Sequence, residues 1–153
     1  MKIVIISFGK ENDALMKDAI ADFTDRLSRW NDIEWKVLPA SKDEGEKGRR
    51  DEAQTLLRYV DESDTLVALD ERGKKMSTQS FSDFFDRMMG AGEKKIVFVI
   101  GGSYGFHPDA LARADVTLSL SDMTLPHQLV RLVLIEQIYR AYSILKGSKY
   151  HHI

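Results

Sequence analysis

Lys95-Ile96-Val97-Phe98-Val99-Ile100-Gly101-Gly102-Ser103-Tyr104-Gly105 is the stretch that decides the fold. An unbroken apolar run that stops at paired glycines reads as a strand buried on both faces, as in the middle of a parallel sheet. Pro108 then suits the first turn of a short helix reaching Arg113. The same alternation recurs outward in both directions. Residues 2–8 form a second such run, closed by Gly9. Residues 13–30 repeat apolar positions at helical spacing through Leu15, Ala19, Ile20, Phe23 and Leu27. Residues 33–38 form another strand, ended by Pro39. Residues 40–50 are polar and carry Gly45 and Gly48, which predicts an exposed, mobile loop. A helix resumes near Lys47 or Arg50 and runs to about Asp61, with Ala53, Leu56, Leu57 and Val60 inward.

Residues 65–69 make the next strand, followed by the charged loop Asp70-Glu71-Arg72-Gly73-Lys74-Lys75. Ser77 or Ser80 can cap a helix through Phe81, Phe84, Phe85 and Met88, stopped by Gly90 and Gly92. Residues 116–120 are the last strand, and Pro126 opens a helix to about Leu145. Strands alternating with helices predict one α/β domain spanning residues 1–153, an open, mostly parallel sheet with helices on both faces. The final helix is apolar on two sides. Val130, Val133, Leu134, Ile138, Ala141 and Leu145 lie on one, and Leu129, Leu132, Ile135, Tyr139 and Tyr142 on the other. Such a helix either lies between layers or builds a homodimer interface; the dimer is the favoured expectation.

Composition bounds the function. With 43% hydrophobic and 30% charged residues, the chain has the make-up of a soluble globular protein. Cysteine is absent, which excludes disulfides, thiolate nucleophiles and Cys-based metal centres. No apolar run approaches the length of a membrane span, so the expected location is cytoplasmic, with no membrane partner. The net charge of −2 argues against indiscriminate nucleic-acid binding. Charge is unevenly spread, however. Residues 126–153 hold Arg131, Arg140, Lys146 and Lys149 against Glu136 alone, a net +3 that leaves −5 for the rest. Three of the four histidines, His127, His151 and His152, share that basic pole, but no cluster with metal-ligand spacing accompanies them, so no metal is expected.

Three segments carry candidate chemistry. The glycine turn at 101–105 follows a buried strand, where backbone can approach a ligand closely, although an ordinary strand-to-helix turn explains it as well. It is not G-x-G-x-x-G, and no phosphate-loop motif occurs anywhere. The charged loop after Leu69 lies beyond a strand end, where open parallel sheets bind ligands, and could face the same crevice. Taken singly, Glu71, Lys74 and Lys75 read as solvated charges. Residues 119–124 are rich in hydroxyls ahead of a helix start. They read either as caps from Ser121, Asp122 or Thr124, or as a ligand loop, and the length of the segment favours the ligand. Arg131, Arg140 and Lys149 could meet phosphates, but lone cations are more often merely solvated.

Leu69-Asp70-Glu71-Arg72-Gly73-Lys74, Phe98 to Gly105, Leu118 to Gln128, Glu136-Gln137-Ile138-Tyr139-Arg140-Ala141 and Tyr150-His151-His152, in this order, resemble the RlmH-type ribosomal RNA methyltransferases of the SPOUT class along essentially the whole chain. The resemblance implies S-adenosyl-L-methionine as methyl donor, N3 of a pseudouridine in 23S ribosomal RNA of the assembled ribosome as acceptor, a homodimer, and a C-terminal trefoil knot. It implies a cofactor site at Leu69, Gly101, Leu120, Ser121, Asp122, Met123, Thr124 and Leu125, with backbone roles expected at Asp122 and Met123. Arg140, His127, Tyr150, His151 and His152 are then the candidates for holding RNA or assisting loss of the N3 proton. Two rivals stand beside this reading: a methyltransferase of another RNA base, in transfer or ribosomal RNA, and a non-catalytic ribosome-binding factor.

Overall fold

The computed structural model describes residues 1–10 and 13–152. Five strands, β1 (Lys2–Phe8), β2 (Asp32–Leu38), β3 (Thr65–Lys75), β4 (Lys95–Ile100) and β5 (Val116–Ser119), form one sheet in the order β2-β1-β4-β3-β5. Every pairing is parallel. Five helices connect and cover them: α1 (Ala14–Leu27), α2 (Gly45–Leu57), α3 (Thr78–Gly90), α4 (Pro108–Arg113) and α5 (His127–Leu145). The open parallel α/β sheet expected from the strand pattern is the observed architecture.

The alternation of side chains along each strand divides the core in two. Ile3, Ile5, Ile96, Phe98 and Ile100 pack with Phe81, Phe85, Leu134, Ile138 and Tyr142 from α3 and α5. Val4, Ile6, Val97 and Val99 face the other way onto Ala53, Leu56 and Ala110 from α2 and α4. Strands covered on both sides have no polar face, which is why β1 and β4 read as unbroken apolar runs.

Helix α5 lies against both α1 and α3. That position uses much of its second apolar stripe within the chain: Ile135 and Tyr142 are buried, and Leu132 and Tyr139 pack half-buried against the same core. Trp30 stacks on Tyr139 with ring centroids 5.4 Å apart. In α1, Leu15 departs from the expected inward stripe and is 82% exposed. Its turn is held instead by the Asp13 carboxylate, which accepts from the backbone N–H of Leu15 and Met16.

Three expectations are corrected here. Helix α2 starts at Gly45, inside the segment read as a mobile loop. The polar connection is tied down by α2 itself: the Ser41 N–H donates to Glu52 and its hydroxyl to Asp51. Gly48 is buried so close to the Asp43 carbonyl that a Cβ would lie 2.2 Å from it. The second correction concerns β3, which continues through the charged residues to Lys75. Leu69 and Lys74 both pair with Leu118 of β5, so residues 70–73 bulge out between two stretches of ladder. Backbone pairing sets this segment, not side-chain burial, so no apolar pattern announces it. At the helix starts, Ser77 caps α3 through the Ser80 N–H, whereas Pro126 is the cap of α5 and not its first turn.

On the edge strand β2, hydrogen bonds from Lys2 and then Lys36 hold the Glu34 carboxyl at about 2, below its ordinary 4.5. Folding therefore favours its charged form. The stability it contributes is complete above its ordinary value and is lost as pH falls through about 2. The denaturant-midpoint difference between wild type and Glu34→Gln is expected to close on acidification across that window, and to shrink in high salt because the side chain is part-exposed.

Candidate functional site

Beyond the carboxyl ends of β3, β4 and β5 the chain surrounds a cleft of about 1120 Å³. Leu69, Ile100 and Leu118 form its floor, and three connections rise around it: the bulge after Leu69, the glycine turn and the loop before α5. Seven of the residues put forward for a cofactor, Leu69, Gly101, Leu120, Ser121, Met123, Thr124 and Leu125, line it together with His127. Asp122 does not: its exposed carboxylate turns away to pair with Lys75.

The walls are cross-linked. The Thr124 hydroxyl donates to Glu71 at 3.0 Å, which with the Lys75–Asp122 pair joins the bulge to the pre-helix loop. That loop is also braced internally, by the Ser119 hydroxyl on the Ser121 carbonyl at 3.0 Å and the Met123 N–H on the Ser121 hydroxyl at 2.9 Å. On the bulge, Arg72 holds the Asp70 carboxyl below the usual carboxylate range through a two-pronged contact at 2.9 and 3.0 Å. Ser121, Asp122 and Thr124 were open as caps of α5. None caps it, and Pro126 offers no side-chain acceptor. The hydroxyls belong to the loop and the bulge, and the first N–H groups of α5 remain available at the edge of the cleft.

The other catalytic candidates gather elsewhere. Glu136 accepts from Arg140 Nε at 2.9 Å and from the Tyr150 hydroxyl at 3.0 Å. The Arg140 guanidinium lies over the Tyr150 ring, 4.7 Å from its centroid, and donates to His151 Nδ1 at 3.3 Å. Tyr150 packs edge-on against Tyr139. Burial, then the bond to Glu136, raises the Tyr150 pKa above its ordinary 10.0, and the Glu136 carboxylate raises that of Arg140. Both therefore stay protonated at neutral pH and serve as donors. His152 is exposed, and Ile153 lies outside the described residues. Arg140 follows His127 by 13 positions on one helix, which separates the two by about 20 Å along its axis.

Two residues escaped the sequence reading. Glu136, the hub of the tail network, was legible as the lone acid of residues 126–153, four positions before Arg140. Arg131, weighed as a solvated cation, is fully buried. It donates to the Ser7 hydroxyl and to the carbonyls of Gly9, at 2.8 Å, and Lys10, fastening α5 to the end of β1. No local signal marks it, because its acceptors lie more than 120 positions away.

A family model described as "Predicted SPOUT methyltransferase" matches residues 1–151. The chain belongs to the SPOUT methyltransferase family. Two full-length relatives agree with this assignment. A Christiangramia forsetii protein named ribosomal RNA large subunit methyltransferase H is 40% identical over 157 residues, covering 99% of both chains. A Trichlorobacter lovleyi protein of the same name is 41% identical over 153 residues, covering 99% of this chain and all of the other. For a SPOUT methyltransferase the cleft is the feature to explain. Among the described residues no group of three or more His, Asp or Glu could hold a metal ion, and no helix is long and apolar enough to cross a membrane.

Proposed function

We propose that this SPOUT methyltransferase transfers a methyl group from S-adenosyl-L-methionine to N3 of a pseudouridine in 23S ribosomal RNA of the assembled ribosome, as a cytoplasmic homodimer of single-domain, C-terminally knotted chains. The observation that carries the reading is the convergence of Leu69, Gly101, Leu120, Ser121, Met123, Thr124 and Leu125 on one cleft. The names of the two full-length relatives support the ribosomal target.

The cleft fits the donor. Leu69, Ile100, Leu118, Leu120 and Val130 supply an apolar surface suited to an adenine face, and braced backbone between 119 and 124 supplies polar groups. At Gly101 a Cβ would meet the Phe106 ring at 3.2 Å, so a side chain there would press the ring back by a few tenths of an ångström. When bound, the donor supplies an electrophilic methyl on a sulfonium, and N3 must lose its proton as the new N–C bond forms. The protein's share is placement: the cross-linked walls hold the reacting centre in line and exclude water. His127 is the ionisable candidate at the cleft, while Arg140 and Tyr150 act as donors toward RNA.

Arg140 lies about 20 Å along α5 from His127, and Tyr150 and His151 of the tail pack beside it, so none of the three lines the cleft of their own chain. A second protomer placing its tail over that cleft brings both halves together, and Leu129 and Val133, half-exposed on α5, are suited to its interface. The test is methyl transfer from labelled S-adenosyl-L-methionine to pseudouridine-containing ribosomes, with the label mapped to a nucleotide. Label on N3 of one pseudouridine in 23S RNA is expected. Label on another base sends the reading to a different RNA target, and ribosome association with neither label nor donor binding would make the protein a docking factor.

A further inference from the structure

A base inside folded RNA exposes its ring nitrogen only after it leaves its stack, and something must replace the lost stacking. Among the described residues, the exposed large hydrophobic side chains that line the cleft are Tyr104, 54% exposed in the glycine turn, and Met123, 78% exposed in the pre-helix loop. Each stands on a different wall. The Tyr104 ring has no aromatic neighbour and its hydroxyl no hydrogen bond among the described residues. A ring held in solvent by a turn has no packing role within its own chain.

A cation lines the same cleft. Arg49 of α2 also lines the cleft and is half-buried, yet it has no hydrogen-bond or ion-pair partner among the described residues. Glu52 stands one helical turn further on and on the same face of α2. Glu52 abuts the glycine turn so closely that a Cβ on Gly102 would lie 2.8 Å from its carboxylate. The other cleft charges are engaged: Arg72 with Asp70, and Glu71 with Thr124. Flexible thioether on one lip, aromatic ring on the other and a free guanidinium at the edge are the elements that grip a single-stranded nucleotide.

We infer that the mouth of the cleft is the nucleotide-docking site: the extruded target base stacks on Tyr104 opposite Met123, and Arg49 holds a flanking phosphate. This deepens the proposed function and rests on it. Tyr104 and Arg49 are then positioning residues for RNA, with no part in holding the donor.

The test uses the full-length protein, ribosomes lacking the modification, and separate calorimetry with S-adenosyl-L-methionine alone. Tyr104→Ala is expected to lower kcat/KM for ribosomes at least about tenfold, mainly through KM, with donor affinity unchanged and Tyr104→Phe near wild type, because stacking needs the ring and not the hydroxyl. Arg49→Ala is expected to weaken ribosome binding and to reduce the slope of log affinity against log salt by about one contact's worth, ~0.7, with Arg49→Lys restoring it. Wild-type kcat/KM in Tyr104→Ala overturns the inference. So does a matching fall in donor affinity, or a Phe variant as impaired as Ala. Wild-type protein that labels no ribosome at all instead overturns the underlying reading.

Discussion

Removal of residues 148–153 is expected to abolish methyl transfer, by at least about a thousandfold in kcat/KM, while donor affinity and the cooperative thermal transition persist. The tail contributes little to either core. Its contacts are the Tyr150 hydroxyl on Glu136, edge-on ring contacts of Tyr150 with Tyr139 and with Phe23 of α1, the Arg140 guanidinium over the Tyr150 ring, the Arg140 contact with His151 and the Ser148 N–H on the Ser143 carbonyl, at the rim where α1 meets α5. The helix beneath it is anchored independently by Leu134, Ile138 and Ala141. Loss of the tail therefore costs stability on the scale of two part-buried aromatic contacts and one cation–π contact, about 2 kcal/mol. Losing transition-state contacts to RNA in an otherwise intact protein is a far larger effect on rate. Calorimetric titration with the donor, a melting curve and the ribosome assay on one preparation separate the terms. Full activity of the truncated protein would remove the tail from the reaction.

Gly73→Ala is expected to be the most damaging single-methyl change near the cleft. A Cβ there would lie 2.6 Å from both C and O of Thr117 and 2.8 Å from the Leu118 nitrogen, all backbone atoms of β5. Backbone in a paired strand cannot turn aside as a flexible side chain can. The second stretch of β3–β5 ladder, at Lys74 and Lys75, must open to admit the methyl. With it go the links that join the bulge to the pre-helix loop, Lys75 to Asp122 and Glu71 to Thr124. We expect a loss of ~2–3 kcal/mol in denaturant unfolding and donor affinity reduced below detection. Gly90→Ala is the control. A Cβ at Gly90 meets nothing within 4 Å, and its helical position should gain up to ~1 kcal/mol. A Gly73→Ala protein that melts and binds like wild type would show that the ladder yields without cost.

The sheet was legible where burial writes a pattern. Residues 96–100 and 3–6 are covered on both sides, so nothing polar interrupts them, and Pro108 and Ser77 begin their helices by local stereochemistry. The pattern fails where distant backbone decides. Residues 70–75 are charged and largely exposed, yet the strand runs on through them because β5 pairs with Lys74 and Lys75 beyond the bulge. Arg131 reads as a surface cation until the carbonyls of residues 9 and 10 fold onto it. The cleft was legible as three separate segments because each follows a strand end, and strand ends on one edge of a parallel sheet meet. Asp122 shows the limit of that logic. Its backbone lies in the right loop, but the nearby Lys75 draws its carboxylate outward. Exposed Tyr104 and unpartnered Arg49 carry no periodic signal, and only assembly shows that they share a rim.

The position of α5 also governs the birth of the molecule. Residues 127–145 supply Leu134, Ile135, Ile138, Ala141 and Tyr142 to the layer shared with α1 and α3, so until they have been translated the Phe81–Phe85–Phe98 side of the sheet has no lid. A parallel sheet has no hairpin through which to nucleate early, and its pairings wait on long crossovers. A chain that has not yet added α5 therefore leaves this apolar layer open, and the speed with which α5 closes it sets how long that surface is exposed to association.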